Sequence, residues 1–344
     1  MNSTRYFIIP AILASGFLGL VAQAAAPGGT DAAPTPAPTQ RMFDTAELAA
    51  ASLVQAAATF EVVALKEILG PDGEEIIASE DPVMDKQRAV AFAAKAKQKQ
   101  VIEIDPENPD YATLSVGEDA YPLPIPIVRQ NGKWFFDTQA GIEEILLRSI
   151  GANELDAITI CLGYVEAQYE YARQKHGDSK INQYAQRIIS APGKQDGLAW
   201  QNADGTWGGP VGEGIAKALQ QGYAKQAKPQ PYHGYYFKIL KGQGQAAPLG
   251  QLDFVVGGAM IGGFALAAAP AEYQVTGVKT FIVSHTGIVY EKDLGQETLE
   301  LFEKMELFDP DESWQPAELP ADESSEEPAD EPADESADEP KQAQ

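Results

Sequence analysis

Eighteen consecutive residues, Phe254–Ala271, carry no charge, and two glycine pairs, Gly257-Gly258 and Gly262-Gly263, interrupt them. A run of that length and polarity reaches the lower limit for crossing a bilayer as a helix. Glycine pairs weaken a helix and mark turns, and Pro270 sits near the end of the run. Buried strands folded back at a glycine turn account for the composition better than a lipid-facing helix. The residues on either side agree. Tyr235, Tyr236, Phe237, Ile239 and Leu240 form an aromatic and aliphatic run suited to a strand. Gly242–Gly250 then reads as a loop, Leu252–Val256 as a second strand and Met260–Ala268 as a third. Val278–Ser284 and Ile288–Tyr290 add two more around His285-Thr286-Gly287. Thr298, Leu299, Phe302 and Met305 lie at helical spacing, with Leu301 beside them, and predict a helix over one face of this meander.

Upstream, the pattern alternates between helix and strand periods. Phe43–Leu69 is alanine-rich with apolar residues near helical spacing, Thr45 or Asp44 as its cap and Glu47 in its first turn. Gly70-Pro71-Asp72-Gly73 stops it, and Lys86–Lys99 predicts a second helix. Short strand-like runs follow at Val101–Ile104, Ala112–Val116 and Ile125–Arg129. Asn131-Gly132 then makes a hairpin into Lys133–Asp137. Gly141–Arg148 predicts a short helix and Glu154–Gln174 a long one, with Leu155, Ile158, Leu162, Val165, Tyr169 and Ala172 as its buried seam. Ile181–Ser190 and Ile215–Lys225 read as further short helices on either side of the turn-rich Ala191–Gly214.

The expected fold class is α+β. N-terminal helices and a small, cone-like antiparallel sheet come first, then a long helix packed on a C-terminal antiparallel meander. The expected division is a signal peptide over 1–24, a linker over 25–42, one domain over 43–150, a second over 151–314 and a disordered acidic tail over 315–344. Arg5, the apolar Phe7–Leu20 and Ala22-Gln23-Ala24 compose the signal, which predicts export to the periplasm or beyond and no membrane span in the mature chain. From Glu318 onward there are eleven acids and one lysine in repeats of ADES and ADEP, so this segment contributes −10 of the formal −25. That charge argues against nucleic acid as a partner, since no basic stripe is present to displace counterions.

Candidate chemistry is sparse. Cys161 is the single cysteine, so no disulfide forms within the chain, and its place between Ile160 and Leu162 suits a buried filler rather than a nucleophile. His176, His233 and His285 have no ligand spacing, and each falls near the end of a predicted element. A site joining His233 and His285 to Asp253 or Asp293 is the catalytic alternative. No G-x-S-x-G elbow or phosphate loop occurs, and Asp204-Gly205 reads as a turn. No catalytic residue, metal or cofactor is therefore assigned. Trp200, Trp207, Tyr223, Tyr232, Tyr235 and Tyr236 lie among glycines, where aromatics line a groove or pin a loop to its domain. The binding set drawn from these is Trp200, Trp207, Tyr232, His233, Tyr235 and His285, with an envelope protein or a glycan as partner.

The segments PYHGYYFKIL, DFVVGGAMIGGFALAAAPAEYQVTGVKTFIVSHTGIVYEKDLG, INQYAQRIISAPGKQDGLAW and WFFDTQAGIEEILLRSIGANE resemble, in the same order, the bacterial domain-of-unknown-function family numbered 2950. The resemblance covers Phe43–Trp314 and implies an exported bacterial protein with no assigned catalytic residues. Glu154–Arg173 followed by the meander is also similar, at the level of fold, to the globular part of type IV pilins, although the N-terminal hydrophobic spine of pilins is missing here. The reading is a non-enzymatic envelope scaffold or binding protein. The alternatives are a small-ligand binder or hydrolase with Trp134 or Phe136 inside a cavity of the N-terminal domain, and a pilin-like assembly subunit.

Overall fold

The computed structural model describes residues 40–78, 81–212 and 231–319. The signal, the helix expected at Ile215–Lys225, Tyr223 and the acidic repeats lie outside them. The chain is mixed α+β, and its described residues divide into two compact units: those of Met1–Ala152 with Gln274–Thr276, and those of Asn153–Tyr273 with Gly277–Gln344.

In the first unit, Thr45 caps α1 (Ala46–Thr59) by accepting from the Leu48 amide at 3.2 Å. The same Thr45 side chain holds the Glu47 carboxyl below its ordinary range. The single helix expected over Phe43–Leu69 is in fact two. Phe60 adopts a left-handed conformation with φ of 55°, and its amide turns back to the carbonyls of Ala56 and Ala57. A new helix, α2 (Val62–Leu69), then begins. After a 3-10 turn at Pro71–Gly73 comes the one-turn α3 (Glu74–Ile77). Asp81 caps α4 (Pro82–Gln98) from the amides of Val83 and Met84, with Pro82 at the first position. Order reaches back to Gln40, whose side-chain amide donates to the carbonyls of Phe136 and Ile68.

Five antiparallel strands follow: β1 (Gln100–Ile104), β2 (Tyr111–Val116), β3 (Tyr121–Pro122), β4 (Ile127–Gln130) and β5 (Lys133–Phe136). Their order is β1-β2-β4-β5, with β3 on β2. Asn131 and Gly132, both at positive φ, close the β4–β5 hairpin as the sequence predicts. Alternation sorts the faces. Ala112, Leu114, Ile127, Trp134 and Phe136 join the core with α1 and α4, whereas Tyr111, Thr113 and Val128 face away from it.

Helix α5 (Thr138–Tyr171) is continuous, where two helices were expected. Gly151 between them costs helical stability of about 1 kcal/mol and breaks nothing. In the second unit its buried residues are Ala157, Ile158, Cys161, Tyr164, Val165, Ala167, Gln168 and Tyr171, so the expected seam holds at Ile158 and Val165 and is rotated at its ends, where Leu155 and Tyr169 are exposed. Gln168 explains a further correction. Its side chain accepts from the Ala185 amide and donates to the Ala185 carbonyl, both at 2.8 Å. Backbone groups engaged that way are lost to a helix, and Ile181–Ser190 is irregular chain leading into β6 (Arg187–Ile189).

β6 pairs in parallel with β7 (Gly197–Gln201), which pairs antiparallel with β8 (Trp207–Gly208). The main sheet runs β9 (Tyr235–Leu240), β14 (Ala265–Pro270), β15 (Lys279–Ser284), β16 (Val289–Asp293) and β18 (Gln315–Pro316), in that spatial order and all antiparallel. β10 (Gly242–Gln243), β11 (Leu252–Asp253), β12 (Val255–Val256) and β13 (Ala259–Met260) form small ribbons inserted between β9 and β14, and β17 (Leu307–Phe308) joins β10. The uncharged stretch is thus a hairpin closed at Gly257-Gly258 and then the interior strand β14, flanked by β9 and β15 and buried along its whole length. Among the described residues no helix is long and apolar enough to cross a membrane. Helix α6 (Thr298–Lys304) lies against β14 through its buried residues Thr298 and Phe302, while Leu299 and Leu301 stay exposed. β18 and the bond from the Ala317 amide to the Val289 carbonyl carry order past the point where the tail was expected to begin.

Candidate functional site

In the second unit a cleft of about 520 Å³ lies between the loop after β6 and the β7–β8 ribbon. Its loop is tied at both ends. The Gly197 amide donates to Ser190 Oγ at 2.9 Å, and the Ala191 amide donates to Asp196 Oδ1 at 2.8 Å. Across the ribbon Asp204 forms the turn, accepting from the Thr206 amide and hydroxyl, which hold its carboxyl below the usual range. The register places Trp200 opposite Gly208 and Trp207 opposite Gln201, so the indoles leave opposite faces of the ribbon while both border the cleft. Gln195, Gln201 and Asn202 supply amides beside them.

Trp200 is anchored. A Cβ on Gly208 would sit 2.6 Å from Trp200 Nε1, and one on Gly209, at φ of +105°, 2.3 Å from the Leu198 carbonyl oxygen. Two glycines therefore allow the indole to lie against bare backbone. Behind it His176 packs at 5.4 Å and stacks in turn on Tyr171 at 3.8 Å. Although it falls near the end of a helix, His176 is buried, with Nε2 at 2.8 Å from the Tyr171 carbonyl. Tyr171 donates its hydroxyl to the Gln195 carbonyl at 2.6 Å, and burial, then Asp196, pushes its phenol up to about 12. Trp207 has no such anchor and is half-buried.

The other residues expected at the site disperse. Tyr235 is completely buried in the sheet core, donating its hydroxyl to the Lys279 carbonyl at 2.9 Å. An aromatic beside glycines was read as a groove residue, but its position on β9 turns it inward. His233, at φ of 48°, holds Asp156 Oδ2 at 2.6 Å through Nδ1, with the Tyr232 ring edge-on at 4.3 Å. His285 sits in the β15–β16 turn, as expected, but its ring faces Phe254 and Phe264 and its Nδ1 is buried without a partner. Among the described residues no three metal-ligating side chains converge. Cys161 is fully buried, and that burial pushes its thiol up to about 12, which leaves no thiolate at neutral pH.

Burial also pushes the His285 imidazole below its ordinary 6.5. The unfolded chain then takes up this proton first as pH falls, so the folded state loses stability below about 6.5 and keeps the contribution above it. The His285→Gln variant is expected to show a flatter fall of melting temperature from pH 7 downward than the native chain. Parallel curves would assign the acid sensitivity to other groups.

The cavity expected around Trp134 or Phe136 does not exist, because both side chains pack in the core of the first unit. A groove of about 780 Å³ lies instead on the opposite face, bordered by Tyr111, Val128 and the Pro122–Pro126 segment on one side and by the start of α5 on the other.

No curated protein and no solved structure matches this chain, so the likeness to pilin domains finds no counterpart. The family model described as Protein of unknown function (DUF2950) matches residues 40–317, more than three quarters of the sequence, and the chain belongs to that family.

Proposed function

We propose that this is an exported, non-enzymatic binding protein of the bacterial envelope and that the Trp200–Trp207 cleft holds a glycan. One observation carries the reading: an indole fixed on bare glycine backbone and a second, unanchored indole border the same cleft as three side-chain amides. An indole face packs against the C–H face of a sugar ring, while amides donate to and accept from its hydroxyl and acetamide groups. A volume of 520 Å³ falls in the range that small-ligand sites occupy. The signal-type composition of Arg5, Phe7–Leu20 and Ala22-Gln23-Ala24 supports export.

The test uses the full chain and a soluble, β-linked, N-acetylated oligosaccharide followed by calorimetry. Saturable binding is expected, weakened about tenfold or more in Trp207→Ala, in line with the 1–3 kcal/mol that an aromatic stacking contact contributes. Trp207 lies outside the two hydrophobic cores, so an unchanged melting curve is expected alongside. Failure of the native chain to bind, or binding indifferent to Trp207, would remove the glycan reading.

A further inference from the structure

We propose that the groove of the first unit is a second binding site, one that takes an extended, lysine-bearing peptide. It shares no residue with the Trp200–Trp207 cleft, and the proposal does not rest on the glycan reading.

Both walls follow from local sequence. Along β2, Tyr111 and Thr113 alternate with the core residues Ala112 and Leu114 and so turn toward the groove. Three prolines, Pro122, Pro124 and Pro126, keep the next segment extended, and prolines offer no amide to compete with a ligand. The opposite wall is the face of α5 carrying Ala140, Glu143, Glu144, Leu147 and Arg148, spaced by three and four residues.

Six charged side chains line the groove, the acids Asp110, Asp137, Glu143 and Glu144 and the bases Arg129 and Arg148. Each base is already spent. Arg129 donates to Asp110 at 2.6 Å and lies 5.2 Å over the Trp134 ring. Arg148 donates to Glu144 and to the Pro122 carbonyl, both at 2.7 Å, and lies 5.3 Å over Tyr121. Asp137 caps the start of α5 through the Ala140 amide at 3.2 Å, and Glu143 makes no hydrogen bond or ion pair among the described residues. Two acids are thus left without a cation. The Tyr111 phenol responds to the same field: burial first, then Glu144, Asp137 and Asp105, make it harder to ionise, with Arg148 opposing.

Between those charges the lining is apolar, and Leu147 is 62 % exposed at the wall. A free diamine would satisfy the acids and leave that surface uncovered. An extended peptide does both: lysines turned to the α5 wall reach Glu143 and lay their methylene stems over Leu147, while the residues between them face the other wall and cover Leu123. The chain as a whole is acidic, so any cation is drawn weakly to it, and the experiment must separate this groove from that background.

The full chain is titrated into a fluorescein-labelled pentapeptide, leucine-lysine-proline-lysine-leucine, and into its glutamate counterpart, with the diamine cadaverine as competitor. The lysine peptide is expected to bind and the glutamate peptide to bind at least tenfold more weakly. Glu143→Gln, an exposed position, is expected to weaken the lysine peptide about twofold to fivefold, the scale of one exposed charge pair, and Leu147→Ala to weaken it by a similar factor. Glu75→Gln, exposed on α3 and outside the groove, is expected to change nothing. The proposal is overturned if the lysine peptide does not bind, if Glu75→Gln weakens it as much as Glu143→Gln, or if cadaverine displaces it at equal concentration.

Discussion

Replacing Phe264 by alanine is expected to destabilise the second unit by about 3–5 kcal/mol, the range for truncating a buried aromatic side chain. Phe264 has no exposed surface and is the ring on which four others converge. Tyr184 meets it at 4.7 Å, Tyr169 at 5.4 Å, Tyr164 at 5.6 Å and His285 at 6.2 Å, each with its plane steeply inclined to that of Phe264. These contacts tie α5, the segment before β6 and the β15–β16 turn to the entrance of β14. Alanine would leave a void bordered by several rings that hydrogen bonds hold in place, such as Tyr164 to the Ala265 carbonyl and Tyr169 to the His285 carbonyl at 2.6 Å. Partners fixed in this way collapse poorly into a cavity, which places the cost toward the upper end. Denaturant unfolding, followed together with hydrogen exchange of the β14 and β15 amides, measures it. A loss below about 1 kcal/mol would show that the rings repack freely, contrary to the arrangement described.

The parts of this fold that were legible are those where one local rule acts alone. Asn131-Gly132 closes its hairpin because both positions need positive φ, and Lys279–Ser284 forms a strand because its β-branched and aromatic residues suit a pleated sheet. The uncharged run Phe254–Ala271 reads correctly as strands because glycine pairs punctuate it. Where tertiary contacts override a local rule, the reading fails. The backbone of Ala185 follows the Gln168 side chain rather than its own helical pattern, and no spacing in Ile181–Ser190 announces a partner that lies 17 residues upstream. The seam of α5 rotated because Cys161, Tyr164 and Gln168, polar or weakly apolar by type, are buried while Leu155 is not.

The candidate sites divide in the same way. Trp200 and Trp207 were visible as aromatics among glycines, and both border one cleft although the β7–β8 register turns them to opposite faces of the ribbon. Nothing local distinguished Tyr235, an aromatic of the same kind that faces the core. The groove of the first unit was not seen at all. Its charged groups come from Asp110, Arg129, Asp137 and the 143–148 stretch of α5, and only the pairing of β2 with β4 and the continuity of α5 gather them. The one available signal was helical: Ala140, Glu143, Glu144, Leu147 and Arg148 mark a single face with both an acid pair and an exposed leucine.

Gly277→Ala is expected to destabilise the second unit by about 3 kcal/mol or more. A Cβ at this position would lie 2.2 Å from Tyr235 Oη and 2.7 Å from Cζ, far inside van der Waals contact. The ring cannot retreat. Tyr235 is wholly buried, tilted against Phe281 at 5.9 Å, and held by its hydroxyl to the Lys279 carbonyl. Nor is the backbone of Gly277 free to shift, since the next two amides, Val278 and Lys279, both donate to Glu154 Oε1, at 2.8 and 3.0 Å. Overpacking at a site fixed on both sides falls at or above about 3 kcal/mol. A double-mutant cycle separates this clash from any general effect on the turn. Tyr235→Phe alone removes a buried hydrogen bond and is expected to cost about 1 kcal/mol. It also removes the atom nearest the new methyl group, so the pair Gly277→Ala with Tyr235→Phe should be more stable than the sum of the single losses predicts, by about 1 kcal/mol or more. Strict additivity would mean that the added methyl group is accommodated elsewhere. Tyr235 would then not be the fixed core residue whose burial removes it from any binding surface.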